Sequence, residues 1–190
     1  MSQQTSASHP DARVVVLSGN PRQGSRTTAA AVRIGETIAR HLGSQRPVGT
    51  VELAEFAAEI LAPVHPTADE ALRTVADATV LVVATPVHKA SYTGLLKAFL
   101  DLYGPGGLAG VVAVPVVVSG NPAHALVGEV HLRPLLVELG AVLPTRALTL
   151  VEQQLAEPEP HVDRWWSAGG AALTAQVAAA VRVGLEGARA

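Results

Sequence analysis

Val14-Val15-Val16-Leu17-Ser18-Gly19-Asn20-Pro21-Arg22-Gln23-Gly24-Ser25-Arg26-Thr27-Thr28 is the stretch on which the reading of this chain turns. An apolar strand runs into a short loop rich in hydroxyls, glycine and arginine, and the loop runs straight into a helix. Such a turn gathers free backbone N–H groups, hydroxyl donors and the positive end of a helix dipole at one point, which is a seat for a phosphate. The common nucleotide loops do not fit. Gly19 and Gly24 are spaced as in a P-loop, but Ser25-Arg26 stands where Lys followed by Ser or Thr is needed. The GxGxxG dinucleotide pattern fails because Asn20, Pro21 and Arg22 crowd the turn. What remains is a loop shaped for a terminal phosphate monoester, such as that of a mononucleotide.

Outward from this loop, five short apolar runs alternate with helical stretches. Strands are expected at Arg13–Ser18, Val48–Leu53, Thr79–Ala84, Val111–Val118 and Val142–Leu148. Helices are expected at Thr28–Leu42, Ala68–Ala76, Gly94–Tyr103 and Ala123–Leu139, with a prolonged alanine-rich helix at the end whose Leu173, Val177, Val181 and Leu185 recur every fourth residue. The third and fourth strands are apolar on both faces, as in the middle of a covered parallel sheet. The alternation predicts an α/β three-layer sandwich with a five-stranded parallel sheet of order 2-1-3-4-5. Ligands then sit at the carboxyl ends of the strands, where the order switches. That rule nominates the loops Ser18–Thr27, Thr85–Thr93 and Ser119–His124.

Composition bounds the alternatives. A chain of 190 residues is one domain by default, here residues 13–187 after a polar tail at 1–12 that lacks the apolar centre of a signal peptide. Hydrophobic residues make up 48% and charged residues 16%, which excludes general disorder. The net charge of −2, from 14 basic and 16 acidic side chains, leaves no electrostatic footprint for nucleic acid. No apolar run reaches the roughly 20 residues of a membrane span, and a cytoplasmic setting is expected. With no cysteine, thiolate nucleophiles, thiolate metal sites and disulfides are excluded, and redox chemistry requires a bound cofactor. The seven histidines show no metal-ligand spacing. The low charge points to association through flat apolar surfaces in a homodimer or homotetramer.

Each loop offers particular chemistry. In the first, Arg22 presents a planar fork of donors, Ser25 and Thr27 offer hydroxyls, and Asn20 an amide. The simpler alternative is a plain turn with a Ser or Thr helix cap. In the second, Pro86 constrains the backbone after a central strand, and His88, Lys89 and Tyr92 are placed to lie beside a flat ring. In the third, Ser119-Gly120-Asn121-Pro122, Gly120 permits close backbone approach to a ligand.

Three segments carry a resemblance. They are Ser18 to Thr27; Ala84-Thr85-Pro86-Val87-His88-Lys89-Ala90-Ser91-Tyr92-Thr93-Gly94 on to Asp101; and His124-Ala125-Leu126 with Leu132-Arg133-Pro134-Leu135-Leu136. Together they cover most of residues 13–145, and the chain resembles the NAD(P)H-dependent FMN reductases of the flavodoxin-like superfamily. It is most similar to the group that supplies reduced flavin to two-component alkanesulfonate monooxygenases. The resemblance implies FMN together with NADPH or NADH, and a flavin-dependent monooxygenase as recipient. It places Ser18, Asn20, Arg22, Ser25, Arg26 and Thr27 at the FMN phosphate loop. It places Pro86, Val87, His88, Lys89 and Ser91 along the isoalloxazine ring, and Ser119, Gly120 and Asn121 at the ring edge. Serine is commoner in the family at position 20, tyrosine at 88 and a second glycine at 121.

Hydride transfer to flavin needs no side-chain nucleophile, so no catalytic residue in that sense is expected. Pro134 inside the fourth helix removes a hydrogen bond, at a cost on the order of 3 kcal/mol if uncompensated, and predicts a kink or widening near Val130–Pro134. In sulfonate-linked relatives this helix carries a π-type bulge near the flavin and packs across a tetramer interface, which implies a modulating role for Val130 or His131. Two other functions remain open on the same fold. One is an FMN-containing NAD(P)H:quinone or azo-type reductase, and the other a flavodoxin-like electron carrier.

Overall fold

The computed structural model of the chain describes residues 8–187. Five parallel strands, β1 (Val14–Ser18), β2 (Gly49–Glu52), β3 (Val80–Pro86), β4 (Val112–Ser119) and β5 (Leu148–Val151), lie in the order β2-β1-β3-β4-β5. The expected order holds, and β1 and β3 form the switch point. Alternate residues of each strand face opposite layers. Val14, Val16, Val80, Val82, Val114 and Val116 pack against α1 (Arg26–Leu42) and α5 (Glu159–Gly187). Val15, Leu17, Leu81, Val83 and Ala113 pack against α2 (Pro66–Ala76), α3 (Gly94–Leu100) and α4 (Arg133–Glu138). On α5, Leu173 and Val177 are fully buried and Val181 partly so, while the side chain of Leu185 lies outside the described residues.

Two expected elements differ. The fifth strand was expected at Val142–Leu148, but Val142 makes only an isolated bridge to Val112, and β5 begins at Leu148. The cause is a pair of prolines, one on each side of the edge between β4 and this segment. On that edge Val142 N–H donates to Val111 and Ala113 N–H donates to Val142. The next two donors in this alternation fall at Pro144 and then Pro115, and neither has an N–H. Pairing lapses there and resumes at Val116 opposite Leu148. The bypassed segment is fastened by side chains instead: Arg133 donates to the carbonyls of Leu143 and Thr145, and Trp165 Nε1 donates to Arg146 at 2.7 Å.

The fourth crossover is not the continuous helix expected over Ala123–Leu139. A 3-10 turn covers Pro122–His124, a π-helical turn covers Gly128–Leu132, and α4 follows with Pro134 in its first turn. The widening falls where Pro134 predicts it. Gly128 allows the turn to lie close on the sheet, since a Cβ there would stand 2.5 Å from Ala147 Cβ and 2.7 Å from Val117 Cγ2.

Smaller differences follow local chemistry. α1 starts two residues early because Ser25 caps it, and α3 stops at Leu100 instead of Tyr103. Of the tail expected over 1–12, residues 1–7 lie outside the described residues. From His9 the chain is tied to the end of α1, with His9 N–H donating to Leu42 and Gln45 N–H to Pro10, and Ala12 is fully buried.

Candidate functional site

A cleft of about 730 Å³ opens at the carboxyl ends of β1, β3, β4 and β5. Its floor is the loop between β1 and α1. Gly19 begins that loop, and its N–H donates to Ala84 at 2.8 Å while Thr93 Oγ1 donates to its carbonyl at 2.5 Å. Leu96 of α3 presses against it, so that a Cβ on residue 19 would come within 2.7 Å of Leu96 Cβ. The first and second loops are thereby locked together.

Inside the loop each polar group has a definite task. Asn20 Oδ1 accepts from Arg22 N–H at 2.9 Å, and Asn20 Nδ2 donates to Thr27 Oγ1 at 3.1 Å. Thr27 Oγ1 is an acceptor there, which leaves its own proton for a ligand. Gly24 takes φ +62°, a left-handed conformation natural to glycine, and turns its N–H inward to Glu52 at 2.9 Å. Ser25 Oγ caps α1 by accepting from Thr28 N–H at 3.1 Å. The amides of Arg26 and Thr27, the first two residues of α1, have no intrahelical acceptor. Arg22 is exposed at the cleft, and none of the ion pairs among the described residues includes it. Arg26, by contrast, is bound to Glu152 at 2.9 Å across the cleft mouth.

The hydroxyls behind the loop form one chain. Thr28 Oγ1 donates its only proton to Glu52 Oε1 at 2.8 Å. Its contacts with Ser18 Oγ (2.7 Å) and Ser25 Oγ (3.0 Å) therefore use the serine protons. Both serines were expected at the phosphate loop; here Ser18 is fully buried behind it, whereas Ser25 lines the cleft with its hydroxyl bonded to Thr28.

The second loop supplies an apolar wall. Pro86, Val87 and His88 line the cleft, and Val87 N–H is anchored on Val118 at 2.7 Å. His88 and Ser91 exchange main-chain bonds of 2.8 and 3.1 Å around Lys89 and Ala90, whose φ angles are +51° and +61°. That is a type I′ turn built without glycine. It carries Lys89 and Ser91 beyond the cleft lining. From the third loop Gly120 reaches the cleft. Ser119 and Asn121 do not line it: Ser119 Oγ donates to the Asn121 carbonyl at 2.8 Å, and Asn121 Oδ1 accepts from Ala123 N–H at 2.9 Å. Val130 and His131, on the π turn, are exposed and also lie outside the cleft lining.

Sequence reading missed Glu152 and Leu155, which wall the cleft after β5, and Glu52 beneath the phosphate loop. The displaced fifth strand hid the first two. The third was hidden because a carboxylate at a strand end reads as a solvent-facing charge.

A five-stranded parallel sheet in the order β2-β1-β3-β4-β5 with helices on both faces, and a cleft at its switch point, defines a flavodoxin-like protein. A family model described as NADPH-dependent FMN reductase matches residues 12–155, and the chain belongs to that family. Its relatives include an FMN reductase (NADPH) of Escherichia coli (strain K12), 36% identical over 135 residues, or 68% of each chain. They also include an NADH-dependent FMN reductase, SfnF, of Pseudomonas putida, 35% identical over 128 residues, or 65% of this chain and 68% of the relative. Among solved structures, an oxidoreductase from Corynebacterium diphtheriae superposes with TM-score 0.72 at 28% identity, covering 88% of this chain and 98% of the other. The apo form of an NADH:FMN oxidoreductase superposes with TM-score 0.67 at 29% identity, covering 83% and 90%.

Proposed function

We propose that the chain oxidises NADH or NADPH, reduces FMN held in the cleft, and releases the reduced flavin to a flavin-dependent monooxygenase in the cytoplasm. The donor set at the β1–α1 loop carries this reading. Arg22, the Arg26 and Thr27 amides and the Thr27 hydroxyl proton sit where a phosphate monoester needs donors, with Asn20 orienting the Thr27 hydroxyl and holding the Arg22 main chain. Pro86, Val87, His88 and Gly120 give a wall suited to a flat ring. When bound, FMN supplies the hydride acceptor at its N5. The residues of this chain bind the phosphate, hold the ring and exclude water, so that catalysis is positioning together with placed dipoles.

Steady-state NAD(P)H oxidation with varied free FMN, FAD and riboflavin tests the proposal. A saturable preference for FMN over riboflavin is expected, and equal use of the two would refute the phosphate assignment. A yellow, slowly exchanging protein that passes electrons to quinones would favour the quinone-reductase alternative. Absence of NAD(P)H oxidation with free FMN would favour an electron carrier.

A homo-oligomer belongs to the same proposal. Leu126, Val130 and Val137 stand on the outer side of the fourth crossover with 67, 59 and 55% of their surface exposed. Apolar side chains so placed suit a self-associating face. Sedimentation of the native chain checks it, and a monomer at micromolar concentration would exclude it. Among the described residues no helix is long and apolar enough to cross a membrane.

A further inference from the structure

Glu52 is a buried carboxylate, 9% exposed, at the end of β2 and directly beneath the proposed phosphate loop. Its Oε1 accepts from Gly24 N–H at 2.9 Å and from Thr28 Oγ1 at 2.8 Å. None of the ion pairs among the described residues includes it. A buried charge is ordinarily paired, because leaving it alone is costly. Here it lies behind a loop whose other face is assigned to a dianion.

Two consequences follow from the proton accounting. Glu52 withdraws the Gly24 amide from the cleft. Through Thr28 it also draws the Ser25 and Ser18 hydroxyl protons inward. Two donors that a phosphate-gripping loop would turn outward, the Gly24 amide and the Ser25 hydroxyl, are turned toward the carboxylate, and its negative charge adds repulsion. Both effects weaken the hold on a phosphate while keeping the loop in shape.

We infer that Glu52 is a specificity-determining residue of the phosphate end, a fixed anion that lowers the affinity for FMN and keeps the flavin exchangeable. The inference rests on the FMN reading of the cleft. An enzyme that hands reduced flavin onward must release it, and Glu52 supplies the weakness that release requires. The residue touches no ligand. It acts through Gly24, Thr28 and the field it projects.

Glu52→Gln and Glu52→Ala separate the two parts of this role. The glutamine keeps an oxygen to accept from Gly24 and Thr28 but removes the charge. The alanine removes both bonds and frees the loop. Flavin fluorescence titration of each variant with FMN and with riboflavin gives the readout, with FMN dissociation followed by stopped flow. Glu52→Gln is expected to bind FMN about tenfold tighter or more, with a matching fall in dissociation rate and unchanged riboflavin affinity. Glu52→Ala is expected to bind FMN more weakly than Glu52→Gln.

Unchanged or weaker FMN binding by a folded Glu52→Gln, in a chain that prefers FMN over riboflavin, would overturn this inference alone. Equal affinity of the unaltered chain for FMN and riboflavin would overturn the cleft reading as well. Thr28→Val, which keeps Glu52 but removes the hydroxyl that turns the Ser25 proton inward, covers the case in which the Glu52 variants do not fold: tighter FMN binding with unchanged riboflavin affinity is expected, and unchanged or weaker FMN binding would refute the inward draw on the donors.

Discussion

Replacing Arg22 by alanine tests the ligand assignment at its most exposed point. The guanidinium is exposed at the cleft and belongs to none of the ion pairs among the described residues, so its removal strands no buried partner. The loop should survive the change. The bond from residue 22 to Asn20 Oδ1 uses the main-chain N–H, and Thr27, Ser25 and Glu52 hold the rest without the arginine. A hydrogen bond to a charged group contributes about 1.5–3 kcal/mol. Solvent screening at an exposed site places Arg22 near the lower end, at about 1.5–2 kcal/mol, or roughly 10–30-fold in Kd. Fluorescence titration should show FMN affinity falling by that factor while riboflavin affinity and the melting temperature stay as they were. Unchanged FMN affinity would refute the phosphate assignment. An equal loss for FMN and riboflavin would mean that Arg22 shapes the cleft instead of reading the phosphate.

Three further outcomes follow from local geometry. Ala90→Gly relieves a left-handed residue in the His88–Ser91 turn and should stabilise the chain by about 1 kcal/mol, a rise of roughly 2–4 °C in Tm; a fall would refute the turn assignment. Gly19→Ala drives a methyl to within 2.7 Å of Leu96 Cβ and should cost about 1–3 kcal/mol in denaturant melts, together with weaker FMN binding as the loop is displaced. Burial works to raise the Glu129 carboxyl, but bonds from Arg133 Nε and Ala147 N–H, both 2.6 Å, hold it below its ordinary value. The unfolded chain therefore binds the extra proton first as pH falls. The stabilisation is complete above the unfolded value near about 4.3 and is lost as pH drops through the folded one. The Tm difference between the native chain and Glu129→Gln should be constant from neutral pH down to about 5 and shrink below about 4.3; a gap independent of pH would refute the tie.

Local chemistry explains what could be read from the sequence alone. The strand–loop–helix at Val14–Thr28 announces itself because capping, glycine and donor residues are contiguous. The sheet order follows from the alternation of elements, and the π turn from Pro134. The misplaced fifth strand shows the opposite case. Val142–Leu148 reads as a strand by its apolar content; Pro144 inside it already removes one donor, and the second missing N–H, that of Pro115, lies 27 or more positions earlier and is visible only once β4 and its neighbour are in register. Glu152 and Arg26 likewise meet across 126 positions.

The same division runs through the site. Groups proposed to face a ligand, such as Arg22 and Thr27, are clustered in sequence because one loop carries them. Groups that decide how those donors are aimed are not. Asn20 aims the Thr27 hydroxyl locally, but Glu52, 24 positions from Thr28, decides where the Gly24 amide and the serine protons point. A phosphate motif can therefore stay intact residue for residue while the strength of its grip is set elsewhere, on the neighbouring strand. On this inference, control of that grip in this chain lies at the residue closing β2. Exchanging the carboxylate for its neutral isostere should move the chain from an exchangeable toward a retained flavin without altering a single group in the loop.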